Sequence, residues 1–155
     1  DETAIYASEK EGFELFKKVG CATCHNGAML SDYKPHVLGV PENSKLKLTD
    51  KGVGDTFAFR TPTLRNLRYT APYMHNGSIK TLQQVMEFYE DIAAGKVRNP
   101  EVSPERYDPL VREIKLSVKD MSQIISFMNT LNDPSFDKEI PKSVPSGLPV
   151  GGAIQ

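Results

Sequence analysis

The run Lys18-Val19-Gly20-Cys21-Ala22-Thr23-Cys24-His25 decides how the rest of the chain is read. Its last five residues form C-x-x-C-H, the attachment signature of a c-type haem. Each thiol of such a motif adds across a porphyrin vinyl group to form a thioether. The adjacent imidazole reaches the iron as proximal ligand. Two other chemistries use a C-x-x-C spacing. A redox dithiol of the thioredoxin type expects a strand before it and a helix after it; here a helical stretch precedes and a Pro/Gly-containing loop follows. A zinc site needs further ligands, and the chain offers only His25, His36 and His75 beside its two cysteines. The residue types favour one covalent haem, anchored by Cys21 and Cys24 with His25 on the iron.

Working outward, the residues before the motif read as a helix from about Ser8 to Val19. Ser8 and Glu11 have capping-box spacing, Phe13 and Phe16 share a face, and Gly20 is a C-terminal stop. A second helix starts at Thr81, with Gln84 three residues on. Its apolar stripe is Leu82, Val85, Met86 and Tyr89. A third runs from about Ser117 to Leu131 with Met121, Ile124, Ile125 and Met128 at the same spacing. No stretch alternates cleanly enough to predict a strand. Residues 26–80 carry Pro35, Pro41, Pro62 and Pro72 and no sustained periodicity. An irregular stretch of that length is expected to wrap a large rigid ligand. His36 reads as a surface loop residue.

The chain has 155 residues, 39% hydrophobic and 25% charged, which fits one globular domain. Nineteen Lys and Arg against twenty Asp and Glu give a net charge of -1, so no basic surplus recommends nucleic acid as a partner. No apolar run approaches the length of a membrane span. From Asp133 onward, Pro134, Pro141, Pro145 and Pro149 alternate with glycines, which predicts an extended tail. The expected organisation is a haem domain over 1–132 and a Pro/Gly-rich tail over 133–155. Haem attachment through C-x-x-C-H takes place outside the cytoplasm, so the motif implies an exported, periplasmic protein.

The run from Phe59 to Ser78 contains Pro62-Thr63-Leu64-Arg65-Asn66 and Thr70-Ala71-Pro72-Tyr73-Met74-His75-Asn76-Gly77. In this order after C-x-x-C-H, these motifs closely resemble the C-terminal haem domain of the di-haem cytochrome c peroxidases, a family that includes the MauG-like enzymes. The resemblance covers about residues 12–131. It implies a mainly α, class I cytochrome c-like domain with long wrapping loops. It also implies that the haem is six-coordinate and passes electrons to a second, peroxidatic haem in an N-terminal domain or second chain.

In the family the distal ligand lies about fourteen residues beyond the histidine of the second motif, and His75 plus fourteen is Tyr89. The peroxidases usually place Met there and the MauG-like enzymes Tyr. Periodicity alone reads Tyr89 as a core aromatic; the resemblance makes it a ligand, with Met86 and Met74 as the competing positions. His75 is implied near the haem in a hydrogen-bonding or electron-path role. Arg65 is implied as a partner of a haem propionate, against a plain salt bridge. Thr70 and Pro72 align with positions whose backbone carbonyls bind an interdomain Ca²⁺, conditional on ligands from the other domain.

The function implied is electron relay within a hydrogen peroxide-reducing enzyme, fed by a small cytochrome c or cupredoxin. Taken alone, the chain is expected to relay electrons without turning over peroxide. A stand-alone mono-haem carrier and a MauG-like protein-oxidising enzyme are the alternatives.

Overall fold

Two helices from opposite ends of the chain pack on each other, and the haem motif hangs from the end of the first. The computed structural model describes residues 5–135 and 141–147. Helix α1 (Ala7–Lys18) lies against α3 (Val118–Asn129). Gly12 permits the approach, because a Cβ there would stand 2.1 Å from the carbonyl oxygen of Gln123. Phe13 and Phe16 both meet Phe127, with ring centroids 4.9 and 5.3 Å away.

Helix α1 begins earlier than its expected cap. The backbone N–H of Tyr6 donates to the Glu9 carboxylate at 2.6 Å, so the box is formed by Tyr6 and Glu9 and not by Ser8 and Glu11. Its other end is as expected. Gly20 adopts φ +98°, a conformation that disfavours side chains, and turns the chain into a 3₁₀ turn over Cys21–Thr23.

Helix α2 (Leu82–Ala93) is capped by Thr81, whose hydroxyl accepts the Gln84 N–H at 3.2 Å. Before α3, the Asp120 carboxylate accepts the Ser117 N–H at 3.2 Å. The expectation of no strands is corrected. Strands β1 (Pro35–Val37) and β2 (Ala58–Arg60) form an antiparallel pair with His36 opposite Phe59. Three residues are too few to show an alternating pattern, which is why the sequence hides them.

The core has two parts. One gathers Phe16 and Val19 of the α1 end with Met121, Ile124, Phe127 and Met128 of α3, joined by Leu64 and Met86. The other gathers Phe88 and Ile92 of α2 with Val40, Phe57, Tyr107 and Val111. Helix α2 divides them, and Tyr89 packs against both. Met121 and Met128 are core residues, as their spacing predicted.

Among the described residues no helix is long and apolar enough to cross a membrane. Much of the expected extended tail lies outside them; its described part includes a turn closed by the Gly147 N–H on Val144 O at 3.0 Å.

Candidate functional site

Between the two parts of the core lies a cavity of about 480 Å³, lined mainly by apolar side chains. That volume is of the order of small-molecule and cofactor sites. Cys21, Cys24, His25, Arg65, Thr70, Pro72, Met74, His75, Met86 and Tyr89 all line it. Residues from the α1 end, the irregular loops and α2 therefore converge on one space.

The motif enters the cavity as two free thiols and one oriented imidazole. The cysteines are unpaired. Burial pushes the Cys21 thiol up to about 12. Burial, with the nearby Asp32 and Asp108 carboxylates, pushes Cys24 up to about 11. A reactive dithiol needs a lowered pKa, so these values oppose the thioredoxin-like reading. The His25 N–H bonds Cys21 O at 3.0 Å, and the Asp32 N–H bonds Cys24 O at 2.8 Å, which closes the loop around the motif.

His25 Nδ1 lies 3.0 Å from Leu30 O. A carbonyl only accepts, so Nδ1 carries the ring proton and Nε2 keeps a lone pair for a metal. Burial lowers the pKa of His25, against the opposing pull of the Leu30 and Pro62 carbonyls and of the Asp32 carboxylate. The neutral, ligating form is thereby favoured.

Tyr89 contributes a phenol to the same space. Burial, followed by the charges of Cys21 and Cys24, raises its pKa. Its hydroxyl has no hydrogen-bond partner among the described residues. The other inward tyrosines differ: Tyr73 donates to Leu67 O at 3.0 Å and Tyr107 to Lys96 O at 3.2 Å. A tyrosine with an unclaimed oxygen in the cavity that the two thiols and His25 also line suits a bound haem. Met86 is buried in the α1–α3 part of the core, and Met74 packs against the other part.

The remaining positions are polar and peripheral. His75 is exposed and stacks on Phe59, with centroids 3.5 Å apart and planes at 10°. Burial lowers its pKa, opposed by Asp50 and Glu42. Arg65 makes no salt bridge among the described residues; its Nε and Nη2 both donate to Ala28 O, at 2.9 and 2.7 Å. Thr70 and Pro72 are exposed at the rim.

His36 corrects the sequence reading. It is 8% exposed, with Nδ1 2.7 Å from Asp108 and Nε2 2.9 Å from Asp32. His36 and Asp108 line the cavity. The Asp32–His36 spacing of four was visible in the sequence; Asp108, 72 residues away, was not. Cys24, Asp32 and His36 offer ligand atoms within 4.8 Å of one another. Both ring nitrogens are already engaged by carboxylates, and Cys21 and His25 stand outside that group, so a zinc site using the motif finds no support.

The sequence profile of the cytochrome c family matches residues 9–132. IdrP2 of Denitromonas iodatirespirans, a cytochrome-c peroxidase, is 32% identical over 164 residues, covering 85% of this chain and 41% of that protein. The methylamine utilization protein MauG of Methylorubrum extorquens is 35% identical, covering 84% of this chain and 36% of that protein. A variant of the diheme peroxidase BthA from Burkholderia thailandensis superposes with a TM-score of 0.70 at 21% identity, over 84% of this chain and 43% of that one; it shares the fold. The chain spans about two fifths of the length of the curated relatives it matches. A helical frame, a C-x-x-C-H motif and an apolar cavity open to it agree with these likenesses: the chain belongs to the cytochrome c family, whose cofactor is covalently bound haem c, and its relatives there are cytochrome c peroxidases and MauG proteins.

Proposed function

We propose that this chain is the electron-transfer haem domain of a periplasmic di-haem peroxidase, with residues 1–132 as the haem unit and 133–155 as its tail. Cys21 and Cys24 would hold one haem by thioethers, with His25 Nε2 as the proximal and the Tyr89 oxygen as the distal protein ligand offered to its iron. Bound there, the haem supplies one-electron storage. The chain's own residues exclude water from it, fix the His25 tautomer and close the sixth position. An external donor, a small cytochrome c or cupredoxin, delivers the electron. It leaves for a second haem in the remainder of the protein, where hydrogen peroxide is reduced to water.

The observation that carries the reading is the Tyr89 hydroxyl, unpartnered in a cavity shared with His25. Around it, Arg65 retains donors for a propionate beyond those spent on Ala28, and His75 stacks on Phe59 at the rim, where an electron path would leave. The Thr70 and Pro72 carbonyls are offered to a Ca²⁺ whose other ligands come from the second domain.

The ferric absorption spectrum of the haem-loaded chain tests this. Tyr89→Phe should convert a low-spin ferric spectrum to high-spin, and the isolated chain should show negligible peroxide turnover. A sulfur-to-iron charge-transfer band, or an unchanged spectrum in the variant, would hand the distal role to Met86 or Met74. Tyrosine at this position also favours a second reading, a MauG-like oxidation of protein side chains. Side-chain oxidation of a partner protein by the complete enzyme would distinguish it.

A further inference from the structure

The Asp32–His36–Asp108 triplet, with a buried ring between two half-buried carboxylates, supplies none of the proposed haem attachments, yet it borders the place where the haem is held. We propose that His36 stores a proton coupled to the electron in the cavity, so that reduction there is accompanied by proton uptake at His36. The inference rests on the function proposed above.

Geometry carries it. His36 sits between two carboxylates, at 2.7 Å from Asp108 and 2.9 Å from Asp32. Ionised carboxylates only accept, so a ring bonded to both donates from both nitrogens and is an imidazolium. The triplet then holds one cation between two anions. His36 and Asp108 face the cavity, and the Cys24 sulfur lies within 4.8 Å of the His36–Asp32 pair. Asp32 also bonds the Cys24 carbonyl through its own amide, so the triplet is fixed to the anchoring residue.

The other charged or titratable groups around His36 are few. The motif contributes His25, within electrostatic reach, and the Cys24 sulfur. The hairpin contributes Lys34 and Arg60, which flank it in sequence and register. In a medium of low effective dielectric, an electron added beside the triplet favours the protonated ring. At an alkaline pH, where part of the oxidised chain carries His36 neutral, the balance is one electron from the donor protein to the ferric centre and one proton from water to that neutral ring. Oxidation reverses both, and no bond to carbon forms or breaks. Asp108 and Asp32 keep 22% and 12% of their side chains exposed, which gives the proton a way to solvent.

Burial alone would lower the pKa of His36, but its two carboxylate partners outweigh burial and raise it. The coupled window therefore lies on the alkaline side of an ordinary imidazole.

The experiment is a spectroelectrochemical titration of the haem-loaded full chain from pH 6 to 10, with the His36 ring pKa read by NMR in both oxidation states. Within the window, the reduced-to-oxidised ratio at fixed applied potential should fall about tenfold per pH unit, or about 59 mV of midpoint potential for a one-electron couple. His36→Gln, which keeps polar contacts and cannot titrate, should flatten that segment with the absorption spectrum unchanged. Asp108→Asn, which removes one carboxylate, should move the window to lower pH, and it serves if the glutamine variant fails to fold. A flat wild-type profile, or a slope that persists in His36→Gln or stays in place in Asp108→Asn, overturns the inference while the function reading stands. A chain that takes up no covalent haem overturns both.

Discussion

Gly12 and Gln123 approach so closely that a methyl group on Gly12 would stand 2.1 Å from the Gln123 carbonyl oxygen. The α1–α3 contact is thus a backbone-to-backbone one, and the haem motif follows directly from α1. Gly12→Ala must push the helices apart, and overpacking of this kind costs roughly 1–3 kcal/mol. A urea titration should show a lower midpoint with a similar slope, although alanine is the better helix former.

A second prediction concerns pH. His36 has a raised pKa, so its stabilisation is fully present below its ordinary 6.5 and is lost as pH rises through the raised value. Asp32 is lowered from 3.8 to about 2 by the Lys34 amide and His36, which together outweigh burial. Its share is present above 3.8 and is lost as pH falls through about 2. The stability gap between wild type and His36→Asn, followed by urea denaturation, should hold steady between about pH 4 and 6.5 and narrow above it. A gap that widens with alkalinity would contradict the assigned sign.

Asn99 supplies a third. It is 1% exposed and donates to Val40 O at 2.9 Å and Glu42 Oε1 at 3.0 Å, while accepting the Glu101 N–H at 2.9 Å. Asn99→Ala leaves those groups without their partner, at a cost of about 1–3 kcal/mol. The midpoint in urea should fall while the visible spectrum of the loaded protein keeps its shape, because Asn99 does not line the cavity.

The attachment chemistry gives a fourth. Cys21→Ser or Cys24→Ser should leave one thioether, so haem stays with the denatured chain and its reduced α-band moves. The double variant should release all of its haem to acid–organic extraction. Retention of haem by the double variant would refute covalent attachment through the motif.

Much of this was legible because periodic helices announce themselves. Leu82, Val85, Met86 and Tyr89 marked one side of α2, and all four line the cavity. The flank of that stripe was missed: Phe88 and Ile92 are fully buried, since the buried arc of α2 extends past Val85 and a single-stripe reading finds only part of it. Local signals also misplaced the start of α1, where Tyr6 and Glu9 do the work assigned to Ser8 and Glu11. His36 was misread for a different reason. Its burial depends on Asp108, and a contact between positions so far apart leaves no mark on local pattern. The sequence motifs brought every candidate site residue to one cavity, whereas the charge cluster beside it required the folded chain.

The His36–Asp108 bond also sets an order of events. A chain made from its N-terminus presents Cys21, Cys24 and His25 long before Asp108 exists, and closing so long a loop waits on the intervening segment. Until then the loop that follows the motif has its local hydrogen bonds and those it makes to Thr61 and Arg65. Once Asp108 arrives, the same loop is clamped from the far side of the domain. The hold on the motif loop is thus completed by a residue 72 positions beyond His36.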